Sequence, residues 1–186
     1  MTLTSGVSFD PAGYFAFDLA HGAVHTRHGD RVLMLTSDVI SPLVATAARH
    51  GDLTAVRSLG KRMGDHAAQC LGGEVSAQAP EDVLHCAAAT LAMLGWGVLV
   101  MERWGSALVL ALDGAPTLDA DSLGLAALLG GLLTSLGGRD VACVPIAKSA
   151  RFVVVHPQVA ETVWAWAKDG ASVAEVVSRL SEEEAA

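Results

Sequence analysis

Charge is what this sequence has least of. Only 17% of its 186 residues are Asp, Glu, Lys or Arg, against 52% hydrophobic, and the bases are outnumbered 12 to 20. The formal net charge of -8 excludes the broad basic face that phosphate backbones require, so nucleic acid is not an expected partner. It equally disfavours an anionic membrane surface. Aromatics are scarce too, at 5% with a single tyrosine, which leaves Ala, Leu, Val and Gly to do the packing. Cysteine is limited to Cys70, Cys86 and Cys143. That is an odd number without ligand spacing, each in an apolar stretch, so three reduced and buried thiols are expected. The opening "MTLTSGVSFDPAGYF" has neither the basic start nor the apolar centre of a secretory signal. A reducing cytoplasm is the expected compartment.

Uninterrupted membrane-length runs are also missing. A spanning helix needs at least about 17 predominantly apolar residues. The stretch "DSLGLAALLGGLLTSLGGRD" (121–140) approaches this only by counting its hydroxyl residues and five glycines. "VLHCAAATLAMLGWGVLVM" (83–101) is cut by Gly95-Trp96-Gly97 and changes from Ala-rich to β-branched there, which reads as a helix followed by a strand. Both runs are expected to be buried elements of a soluble core.

What is present reads as follows. "YFAFDLAHGAVHTRHGDRVLML" supplies strands, with a turn at His28-Gly29-Asp30. Ser41-Pro42 has the form of an N-cap with proline at the first helical position, opening a helix that stops near Gly51. Asp52 caps the next helix, in which Leu53, Val56, Leu59, Met63, Ala67 and Cys70 form one apolar stripe flanked by Gly60 and Gly64. Each of those glycines costs about 1 kcal/mol of helix propensity relative to Ala, so close approach of another backbone is the expected reason for them. Beyond the linker "GGEVSAQA", Pro80 with Glu81 and Asp82 starts a helix that ends at Gly95. A hairpin follows, turning at Trp104-Gly105-Ser106, with Leu108, Leu110 and Leu112 on one face. After a loop comes the Gly-rich helix, from about Asp121 to Leu136. "DVACVPIA" and "ARFVVV" form a second hairpin turning at Lys148-Ser149, and Pro145 confines its first strand to an edge or a bulge. Two short helices close the chain, the last opened by a Ser172–Glu175 capping box, and "SEEEAA" reads as a solvated tail. Local hairpins with helices grouped between them specify an α+β fold: an antiparallel sheet of about four or more strands against a layer of helices.

With these elements placed, the pattern resembles the NO-signalling/Golgi-transport ligand-binding superfamily, which includes the bacterial vinyl-reductase-type domain and the Bet-three-like TRAPP subunits. The resemblance rests on "LGKRMGDHAAQCL", "LHCAAATLAMLGWGVLVMERWGSALVLAL" and "LGLAALLGGLLTSLGGRDVACVPIAKSARFVVV", and covers roughly residues 20–156. It implies a domain over residues 1–156 with a helical appendage at 157–186, a homodimer, and a central Gly-rich helix in which Gly124, Gly130 and Gly131 are backbone contact points. The chain departs from the pattern at Ala150-Arg151-Phe152, where Cys-Arg-Phe is usual in the bacterial branch. A metal or thiol function resting on that cysteine is therefore not expected. The tail "WAWAKDGASVAEVVSRL" is similar to small peptide-chaperone modules of the PqqD-like type, which implies a partner surface at Trp164 and Trp166.

No complete catalytic constellation appears. His21, His25 and His28 lie on an extended chain that alternates faces, so they do not converge as metal ligands must. Asp65 with His66, and His85 with Cys86, are adjacent on helices and face apart. No Gly-rich phosphate loop is present, and no cofactor is expected. An apolar ligand pocket is better motivated, lined by Met63, Cys70, Cys86, Met93, Trp96 and Met101 and lying between the Gly-bearing helices; an ordinary packed core accounts for the same residues. The leading expectation is a non-enzymatic regulatory module that binds a small hydrophobic ligand and signals to a protein partner. The alternatives are a dimeric adaptor without ligand and an enzyme related to vinyl-group reduction.

Overall fold

A computed structural model describes residues 13–71, 75–146 and 150–184. The chain forms the α+β fold its patterning specifies, with two antiparallel sheets and six α-helices among the described residues. The first sheet is small: β1 (Phe15–Asp18), β2 (Ala23–Thr26) and β3 (Arg31–Val32) in sequential order. Here β3 is shorter than "RVLML" implies. Val32 pairs with Val24, and β2 begins one residue before Val24, so beyond Leu33 there is no strand left to pair with. Leu33, Met34 and Leu35 consequently leave the sheet exposed.

α1 (Ser37–Arg49) starts a full turn before Ser41-Pro42. Ser41 is not a cap; its hydroxyl donates to the Ser37 carbonyl at 2.7 Å and contacts the Thr117 carbonyl at 3.0 Å. Pro42 lies inside the helix, in its second turn, and gives up the bond its missing N–H would make. α2 (Thr54–Cys70) opens one residue later than an Asp52 cap implies: Leu53 is the N-cap, and Asp52, one position further out, accepts from the Thr54 N–H at 3.1 Å. α3 (Pro80–Met93) has proline in its first turn and left-handed Gly95 just past its end.

The main sheet comprises β4 (Val98–Trp104), β5 (Ala107–Asp113), β6 (Ala142–Ile146) and β7 (Arg151–Val155), in the order β4-β5-β7-β6. Pro145 thus sits on an edge strand, where its missing donor costs no ladder bond. The Lys148-Ser149 turn lies outside the described residues. Cross-strand register puts Leu99 and Met101 beside Leu112 and Leu110, and Leu110 beside Phe152. This face packs against α2, α3 and α4 (Leu123–Gly137), whose Leu125, Leu128, Leu129, Leu132 and Leu136 complete the main core. The opposite face presents Val109, Val144, Ile146, Val153 and Val155 to Val163 and Ala167 of α5 (Ala160–Lys168) and to Val173 and Val176 of α6 (Val173–Glu184). The C-terminal segment therefore covers the back of the sheet. Ser172 and Glu175 exchange the bonds of a capping box, and the helix continues through "SEEE", since nothing in those residues breaks it.

Among the described residues no helix is long and apolar enough to cross a membrane. α4 instead lies in the core, and its glycines are where other atoms come close. A Cβ on Gly60 would overlap the Leu128 carbonyl, and one on Gly131 would overlap the Arg57 carbonyl. A Cβ on Gly64 would stand 2.8 Å from the Leu132 carbonyl oxygen. Gly124 is covered by Val44 of α1, and Gly130 by the Arg57 guanidinium.

Candidate functional site

The α2–α4 seam is closed by these backbone contacts, so the open space lies elsewhere. α3 borders β4 and α4 borders β6. Where those two helices part, the two middle strands show through. Leu108 of β5 and Val154 of β7, register partners, floor a cleft of about 860 Å³. One wall is the start of α3, with Val83 and Leu84, and the 3-10 turn before it, with Val75. The other wall is the end of α4, with Leu133, Leu136, Gly137 and Gly138. Val141 and Arg139 close the end. The polar groups are few: Ser76, Gln78, Ser135 and Arg139, with Ser135 already donating to Asp65 at 2.6 Å. A second cleft of about 570 Å³ adjoins it between the sheet and α6, and shares Leu108, Arg139, Val141 and Val154 with the first.

Gly138 adopts a left-handed conformation, φ 63°, at the end of α4. That terminates the helix and turns Arg139 and Asp140 in opposite employment. Asp140 accepts from the Arg57 guanidinium at 2.5 Å, and this bond holds its carboxyl below the usual range. Arg57 also donates to Thr134 Oγ1 at 3.0 Å and to the Val141 carbonyl at 2.7 Å. One side chain from α2 thereby fastens the α4–β6 connection. Arg139 has no hydrogen bond or ion pair to any described residue.

The residues singled out from sequence lie apart from both clefts. Met63 and Cys86 are closed in the interior, and Cys70, Met93, Trp96 and Met101 are half-buried. Trp96 and Met101 pack against the main core. Burial pushes the Cys143 thiol up to about 12 and raises that of Cys86, so both stay protonated and un-nucleophilic at neutral pH. Trp164 and Trp166 are both half-buried against the second core, under Lys168 and Arg179 respectively. Among the histidines, His21 bonds Asp18 at 2.8 Å and His28 accepts from Arg27 at 3.2 Å. His66 has Asp30 of the β2–β3 turn 3.7 Å away, too far for a hydrogen bond. No three His, Cys, Asp or Glu side chains converge as a metal site among the described residues.

Fold and site together define a helix–sheet–helix α+β protein with an apolar cleft at one end of its sheet. No family model and no curated protein matches the chain. The cleft is not legible in the sequence because it is assembled from four separated segments, 75–84, Leu108, 133–141 and Val154. Its one local signal is "LGGRD", a left-handed helix end that delivers a cation to the core's margin.

Proposed function

We propose that this chain is a non-catalytic regulatory module that takes a small hydrophobic ligand into the cleft between α3 and α4 and relays its occupancy to a protein partner. The observation carrying this reading is the cleft itself: about 860 Å³, floored and walled by Leu, Val and Gly, with few polar groups. Small-molecule sites have this size and this balance, roughly 300–1,000 Å³ of mainly apolar surface with a few polar anchors. Occupancy would bear on the start of α3 and the end of α4, the two elements that border the cleft and also pack on α2.

Native mass spectrometry of the purified protein, followed by denaturation of the same sample, tests the reading. A releasable small apolar mass is expected on the wild-type chain. It should be lost in Leu84→Trp, which fills the cleft from its half-buried wall. An empty wild-type protein that also fails to take up an added apolar dye would refute the reading.

A second reading, a dimeric adaptor related to the TRAPP-type subunits that the sequence resembles, is favoured by a separate observation. Leu33, Met34, Leu35, Val39 and Leu43 are all exposed within eleven consecutive positions, and apolar surface gathered in this way marks interaction sites.

A further inference from the structure

We infer that the ligand of this cleft is a single-chain amphipathic carboxylic acid, its tail on the Leu108–Val154 floor and its carboxylate on Arg139. This rests on the ligand-binding reading above and specifies its chemistry. In a chain with 20 acids and 12 bases, the one ionisable residue among the described residues that line the larger cleft is a cation, Arg139. It stands where the two clefts meet, as it lines both.

Its charge also has no counter-ion among the described residues. Three other guanidinium groups are spent on carboxylates: Arg57 on Asp140, Arg62 on Asp65 at 3.8 Å, and Arg151 on Glu102 at 2.9 Å. The acid nearest Arg139 in sequence, Asp140, is bound to Arg57 from α2, which leaves Arg139 without a described partner. A guanidinium presents paired donors that match a carboxylate in two parallel hydrogen bonds. One guanidinium suits a monoanion; a phosphate dianion would leave charge uncompensated. The other described residues of the lining carry no charge, which suits an apolar remainder of the ligand.

The test compares decanoate with 1-decanol by titration calorimetry at pH 7.5, a pair sharing one chain and differing in the head. Wild-type protein is expected to bind decanoate about tenfold more tightly, the scale of a charge-assisted hydrogen bond at a partly solvated site. Arg139→Gln should abolish that preference while leaving decanol affinity and the melting temperature unchanged, because Arg139 bonds none of the described residues. Leu84→Trp should weaken both probes. Equal wild-type affinities, or a preference surviving in Arg139→Gln, would overturn the head-group assignment while leaving the ligand reading standing. Failure of both probes to bind wild-type protein would remove the two together.

Discussion

Gly60 and Gly131 turn the contact between α2 and α4 into a contact of backbones, and single methyl groups should reveal it. In an ordinary exposed helix position Gly→Ala gains about 1 kcal/mol. At Gly60 and Gly131 the added methyl meets a carbonyl of the other helix, and neither backbone can swing aside as a side-chain tip would. Overpacking of this kind costs about 1–3 kcal/mol. Gly60→Ala and Gly131→Ala are therefore expected to be destabilised in urea titrations. Gly137→Ala, whose methyl would find only Arg139 Cγ at 3.9 Å, should be neutral or slightly stabilised. A uniform gain across all three would show that the seam is looser than drawn. The sequence carried part of this. Glycines beside an apolar stripe announce that some backbone is near, because they are otherwise poor helix residues. They do not name the partner, which is set by tertiary packing. Arg57 was invisible for the same reason: its side chain reaches across to Thr134, Asp140 and Val141, far from it in sequence.

At the scale of elements, periodicity and turn chemistry reported most of the fold, and errors arose where a strong local signal competed with a longer one. Ser41-Pro42 has the form of a helix start, but Ile40 and Val44 lie four apart and both pack inward, so the helix that buries them runs through the proline. The capping box at Ser172 was legible because both of its partners lie within one turn. The Arg57 fastening joins α2, α4 and β6 and has a pH signature. Asp140 has a reference value of 3.8, and the guanidinium bond lowers it in the fold. A depressed carboxyl contributes stability that is complete above its unfolded value and is lost as pH falls through its folded one. Asp140→Asn should accordingly lower the melting temperature at pH 7. Its deficit relative to wild type should shrink as pH drops below about 4. The exposure of Asp140 keeps the effect modest and sensitive to salt. A deficit that is constant from pH 7 to pH 3 would mean that the Arg57 bond contributes nothing through charge.

For the whole molecule, the apolar excess has to be accounted for somewhere, and the two cores do not absorb all of it. Leu33 is 77% exposed and Leu43 65% exposed, although side chains of this kind each gain roughly 1.5–3 kcal/mol when buried. α1 is apolar on both sides: Ile40 and Val44 face the core, while Val39 and Leu43, again four apart, face outward. A helix with apolar residues on two sides is built to be covered twice. None of residues 33–43 lines either cleft, so this surface and the apolar cleft are separate, and one can be altered without the other. A second copy of the chain is the simplest cover, since a two-fold interface needs only one self-complementary patch. Light scattering after size exclusion should then give twice the chain mass for wild type, and the monomer mass for Val39→Lys combined with Leu43→Lys. Decanoate binding should survive in that variant. A monomeric wild-type protein would remove the self-association reading and assign the patch to a different protein. A variant that stays dimeric would move the interface off α1, to another of the exposed apolar sites such as Val98 and Val100 on the outer face of β4.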